Sequence, residues 1–128
     1  MAIRIVRLGS ARERGEGLRL GTVRHPPRGV PKHQHAARDF YDVWLPELAP
    51  SAELLKRGQA ADSAREWSAF VKRYRREMTT PESVHLLRLL AALSAASDFS
   101  VGCYCADEAH CHRSVLRALL VEHGAVLV

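Results

Sequence analysis

The stretch Asp98-Phe-Ser-Val-Gly-Cys103-Tyr-Cys105-Ala-Asp-Glu-Ala-His110-Cys111-His112-Arg113-Ser114 decides the fold of this chain. Up to Gly102 it alternates apolar with small or polar residues, as a strand does; beyond it, Val115, Leu116, Leu119 and Leu120 recur at helical spacing. The residues between form a strand-to-helix turn. In an open α/β sheet such turns gather at the carboxyl edge of the strands, where ligands bind, and the first amides of the following helix point at whatever sits there. All three cysteines and two of the seven histidines fall between Cys103 and Ser114, so any chemistry is expected in this turn.

Outward from the turn, the last helix is predicted from about His112 to Gly124, with Ala125–Val128 as a terminal strand. Upstream, Thr80-Pro81-Glu82 is a helix start, and Val84, Leu86, Leu87, Leu89, Leu90 and Leu93 make that helix apolar nearly all round, hence deeply buried. A capping box, Ser63-Ala-Arg-Glu66, opens a helix whose apolar face is Trp67, Phe70, Val71, Tyr74 and Met78. Its other face carries Arg65, Lys72, Arg73, Arg75 and Arg76. Ser51 is a further N-cap, after an aromatic extended segment, Phe40 to Pro50. Two early strands are expected at Ile3–Leu8 and Leu18–Arg24, in one sheet. The proline-rich run His25-Pro-Pro-Arg-Gly-Val-Pro31 excludes helix and central strand alike and reads as a long loop.

The chain has 128 residues, 47% hydrophobic and 26% charged, which suits one soluble domain spanning residues 1–128. The longest apolar run, Leu89 to Leu93, is far short of a bilayer span, so no membrane role is expected. Charges interrupt the first apolar stretch, unlike a secretory signal, and three cysteines is an odd number; both point to the cytoplasm and to thiols, metal ligands or core residues rather than structural disulfides. The net charge of +5 favours anionic partners at long range.

Three chemistries fit the turn. The first is an anion site, with Arg113 and Ser114 in the first helical turn beside free amides, Arg24 or Arg28 closing over the ligand, and Tyr41 or Trp44 offering a stacking surface. The ligand would be a nucleotide or another small phosphorylated compound. The second is a metal site of Cys105, Cys111 and His112 or His110, with Cys103 as fourth ligand; zinc accepts a Cys3His set, although this spacing is not that of a zinc finger. The third is thiol chemistry, with Cys105 as the reactive group. Cys103 and Cys105 are separated by ~6.6 Å along a strand, near the upper limit for a disulfide, so no bond between them is expected. The phosphatase and rhodanese loop is absent, because Arg113 is the eighth residue after Cys105 and the second after Cys111. A purely structural alternative buries Cys103, caps the helix with His112 and gives Arg113 an ion pair. Nucleic-acid binding through Lys72 to Arg76 is a further alternative. The glycines fit no dinucleotide or nucleotide-triphosphate loop, and no Ser-His-Asp arrangement is readable, so the residues assign no reaction.

The combination Arg7-Leu-Gly-Ser10, Gly15-Glu-Gly17, Gly21-Thr-Val-Arg24 with Pro27-Arg-Gly29, then Tyr41-Asp-Val-Trp-Leu-Pro-Glu-Leu48 and the closing Cys-His-Arg-Ser, resembles the bacterial domain of unknown function 488 family. The resemblance covers nearly the whole chain. It implies a small α/β fold and names no substrate; since some branches lack the cysteines, it carries over neither a metal nor a thiol function. The expected architecture is a single three-layer α/β/α-like domain with a mostly parallel central sheet, its carboxyl edge gathering the turn and the proline-rich loop.

Overall fold

The computed structural model describes residues 1–128. Four strands, β1 (Ile3–Arg7), β2 (Leu18–Gly21), β3 (Val43–Trp44) and β4 (Phe99–Cys103), form one sheet in the order β1-β4-β2-β3 with every pairing parallel. β4 is therefore central, hydrogen-bonded on both sides, and all five of its residues are buried. The two early strands share the sheet but are not neighbours, because β4 lies between them.

Alternation along β4 sorts the two faces. Phe99 and Val101 point with Ile3 into a core shared with α1 (Ala52–Ala60), α2 (Ala64–Glu77), α3 (Pro81–Leu93) and α4 (His112–Glu122), through Leu54, Phe70, Tyr74, Leu87, Leu90, Leu116 and Leu120. All four helices thus cover one face. The parallel α/β sheet is as expected, and the opposite covering layer is made of loop rather than helix.

That loop layer lies close to the backbone because Gly102 and Gly21, partners across β4 and β2, face it together. A Cβ on Gly102 would sit 2.7 Å from Leu8 Cδ2, and one on Gly21 would collide with the Tyr41 ring. Arg19, two pairs back in register opposite Ser100 and so on the same face, organises the layer. Its guanidinium binds the Glu16 carboxylate (2.8 Å) and the carbonyls of Ser10 (2.8 Å), Ala11 (3.2 Å) and Asp39 (2.7 Å), while Ser100 Oγ donates to Glu16 (3.0 Å). Both ion-pair partners are only 1% exposed. Arg12 extends the network at the surface, pairing with Asp42 (2.9 Å) and Asp39 (3.2 Å).

The helix starts follow their capping residues. Ser51, Ser63 and Thr80 each accept the amide three residues on, from Leu54, Glu66 and Ser83, and Pro81 occupies the first turn of α3. Three expectations need correction. α3 is not buried all round: Leu89 and Leu93 are 53% and 41% exposed, because only the stripe of Ser83, Leu87, Leu90 and Ala91 meets the core. β2 ends at Gly21, three residues before Arg24, where the chain turns toward the proline-rich loop. Ala125–Val128 makes a single parallel bridge, Leu127 to Ile3, on the free edge of β1 rather than a full strand. No helix is long and apolar enough to cross a membrane.

Burial pushes the Glu16 carboxyl up, but hydrogen bonds from Arg19, the Glu13 amide and Ser100 outweigh it and hold Glu16 below the usual carboxylate range. A depressed carboxyl contributes stability that is complete above its unfolded pKa and is lost as pH falls through the folded value. Glu16→Gln, which leaves Arg19 charged and buried without a counter-ion, is expected to cost about 3–5 kcal/mol in urea denaturation at neutral pH. The gap between variant and wild type should close in the acid range below pH ~4.3; a variant as stable as wild type at pH 7 would show that the pair does not organise the loop layer.

Candidate functional site

β4 ends at Cys103 and α4 begins at His112, so the whole cysteine-bearing turn lies at the carboxyl edge of the central strand. It is tied down on every side. Leu8 N donates to Cys103 O (2.8 Å), Arg7 Nε to Tyr104 O (3.2 Å), and Tyr104 Oη to His25 O in the proline-rich loop (2.9 Å). Asp107 caps a 3-10 turn, Glu108–His110, whose Glu108 carboxylate is held by Arg117 of α4 at 2.7 and 3.0 Å.

Within this frame the sulfur atoms converge. Cys103 and Cys111 are buried and Cys105 is half-buried; all three are free thiols. Cys103 Sγ donates to Cys105 Sγ at 3.8 Å, and Cys111 Sγ lies 3.8 Å from His112 Nδ1. The ligand atoms of Cys103, Cys111 and His112 all lie within 4.8 Å of one another. His112 is turned by a residue on another strand end: its Nε2 is 2.7 Å from Thr22 O, and Thr22 in turn donates to Gly102 O through its amide (3.1 Å) and hydroxyl (2.9 Å). A carbonyl only accepts, so Nε2 carries a proton and Nδ1 is the ring nitrogen that faces Cys111 Sγ. The hydrogen bond from Cys103 lowers the Cys105 thiol to about 3, aided by the nearby Arg113 charge, while the same bond and burial push the Cys103 thiol up.

The start of α4 is unusual. Its N-cap, Cys111, makes no side-chain cap, no acidic residue stands in the first turn, and Ser114 Oγ returns to Cys111 O (3.0 Å). The first amides of a helix have no intrahelical acceptor, so this end carries positive potential. Arg113 is 3% exposed; its Nη2 donates to Cys105 O (2.6 Å), it pairs with no carboxylate, and its Nε is a buried donor without a partner.

The other residues singled out from the sequence are dispersed. Arg24 donates to the carbonyls of Pro46, Ala49 and Pro50 at 2.9–3.1 Å and so fastens the corner between β3 and α1. Arg28 is exposed on its loop. Tyr41 is buried over Gly21 with its ring in a T-shaped contact with that of His35, and Trp44, half-exposed, donates to Val23 O (2.8 Å); both line a cavity of about 440 Å³ whose rim includes Lys32 and His33. His110 is exposed and bound to Asp107 (2.9 Å), away from the sulfur group. On α2, Arg65, Lys72, Arg73 and Arg76 are exposed and Arg75 pairs with Glu122 (2.8 Å).

Two participants escaped the sequence reading. Thr22 orients His112 through a main-chain atom, which leaves no side-chain signature, and the Glu16–Arg19 pair sits in a stretch whose charges look like ordinary surface. No curated protein and no solved structure matches the chain. The sequence profile of DUF488-N3a, the active DUF488-N3 subclade, matches residues 3–124, nearly the whole chain and the entire turn. On that match the chain belongs to the DUF488 family, within its active N3 subclade.

Proposed function

We propose that the turn binds a small anionic ligand, such as a phosphorylated compound, against the start of α4, with Cys105 as the group that reacts if the ligand is turned over. The observation that carries this reading is the buried, unpartnered Arg113 Nε beside an uncapped helix N-terminus. A buried donor without a partner costs about 1–3 kcal/mol, a cost that an anion removes when it arrives. Arg113, Ser114 and the first amides of α4 are the binding groups, and Cys105 is the accessible thiol next to them. The description of the matched subclade as active agrees with turnover. Three free thiols suit a reducing, cytoplasmic compartment.

A second reading is favoured by a separate observation: the group of Cys103, Cys111 and His112 has the ligand types and the fixed imidazole orientation of a zinc centre. Nucleic-acid binding through the exposed arginines of α2 has no comparable support, since the aromatic residue among them, Tyr74, is fully buried.

Titration with inorganic phosphate, followed by amide NMR, is expected to shift the His112, Arg113 and Ser114 signals in a saturable way that equal ionic strength of chloride does not reproduce. Signals that stay fixed would remove the anion site. In native protein, iodoacetamide is expected to modify Cys105 alone, with Cys103 and Cys111 reacting only in denaturant. Equal modification of all three in the folded protein would remove Cys105 as the accessible thiol.

A further inference from the structure

We infer that the metal of the second reading is gripped by Cys103 Sγ, Cys111 Sγ and His112 Nδ1, and that Cys105 occupies a fourth, exchangeable position open to anions. This rests on the metal reading above, with its group of Cys103, Cys111 and His112, and goes beyond it in giving Cys105 the exchangeable fourth position and in opening that position to an anion. Sulfur ligands of a tetrahedral zinc with bonds of ~2.3 Å lie ~3.8 Å apart. Cys103 and Cys105 have that separation, and Cys111 Sγ is equally far from His112 Nδ1. The metal class is set by the donors: two or three thiolates and an imidazole select zinc over the oxygen-seeking magnesium or calcium.

The four groups are not equivalent. Cys103, Cys111 and His112 are 5%, 3% and 3% exposed and stand on rigid ground, the last residue of β4 and the N-cap and first residue of α4. His112 has the outer contact that metal-bound imidazoles use, a ring N–H donated to a backbone carbonyl, here Thr22 O. Cys105 lies beyond the strand, is half-buried, and falls outside the group whose ligand atoms are all within 4.8 Å. Three buried protein ligands with a fourth place reached from solvent is the arrangement of an open zinc site rather than a closed structural one. The positive end of α4 and Arg113, whose Nη2 holds Cys105 O, flank that fourth place, so an anion entering the site meets the metal where Cys105 sits.

The test uses cobalt(II) as a spectroscopic substitute for zinc, added to reduced, metal-free full-length protein. Wild type and Cys105→Ser are both expected to bind one ion, with visible bands of tetrahedral cobalt and thiolate charge transfer, and with affinities within about tenfold of each other. In Cys105→Ser, inorganic phosphate should then perturb the cobalt bands. Cys111→Ser, nearly isosteric, should weaken binding by more than the ~10–100-fold that loss of an outer-shell partner costs. Absence of binding by wild type would overturn the metal reading and this inference with it. Binding by wild type that is lost in Cys105→Ser, or that in Cys105→Ser is insensitive to phosphate, would leave the metal reading standing and overturn the exchangeable fourth position; undiminished binding by Cys111→Ser would overturn both.

Discussion

One guanidinium, that of Arg19, ties together the loops that cover the helix-free face of the sheet. The sheet has helices on a single face, so the other face must be covered by loop, and loops bring unpaired carbonyls with them. Arg19 answers that need from within β2: its donors reach Ser10, Ala11 and Asp39 carbonyls in two loops that are distant in sequence, and Glu16 balances its charge in a place water does not reach. Without the carboxylate, the same guanidinium would be a buried charge of high cost. With it, the loops can lie flat on Gly21 and Gly102, and Tyr41 and Leu8 close the face.

The site inherits its rigidity from this arrangement. Cys103 is the last residue of the most buried strand, and Thr22, which turns His112, directly follows the neighbouring strand and is hydrogen-bonded to Gly102. The imidazole orientation is therefore set by sheet register. From the helical side, α4 presents its amides and Arg113, and Arg117 pins the turn through Glu108. A soft cluster of sulfur and imidazole thus lies against a positive helix end, a pairing that suits both a thiophilic cation and an anion.

Much of this is legible in local sequence. The β4 alternation, the capping residues Ser51, Ser63 and Thr80, and the helical spacing after His112 are all short-range signals, and they locate the strand-to-helix turn and its cysteines. The α3 reading went astray for the same reason: apolar content reports what a helix could bury, whereas the position of its neighbours leaves Leu89 and Leu93 in solvent. Arg24, expected to close over an anion, is committed to three carbonyls that only the folded corner brings to it.

By itself the sequence determined the main helices and strands, the parallel α/β class and the location of the cysteine-bearing turn, because capping, periodicity and turn composition act over a few residues. Only the tertiary structure decided which face the helices cover, that Glu16 and Arg19 are buried together, that Thr22 aims His112, and that Arg113 keeps a donor free. Those depend on strand order and register, β1-β4-β2-β3, which bring residues from opposite ends of the chain within hydrogen-bond distance. No local pattern encodes such a pairing, since its free energy comes from partners that meet only once the sheet has formed.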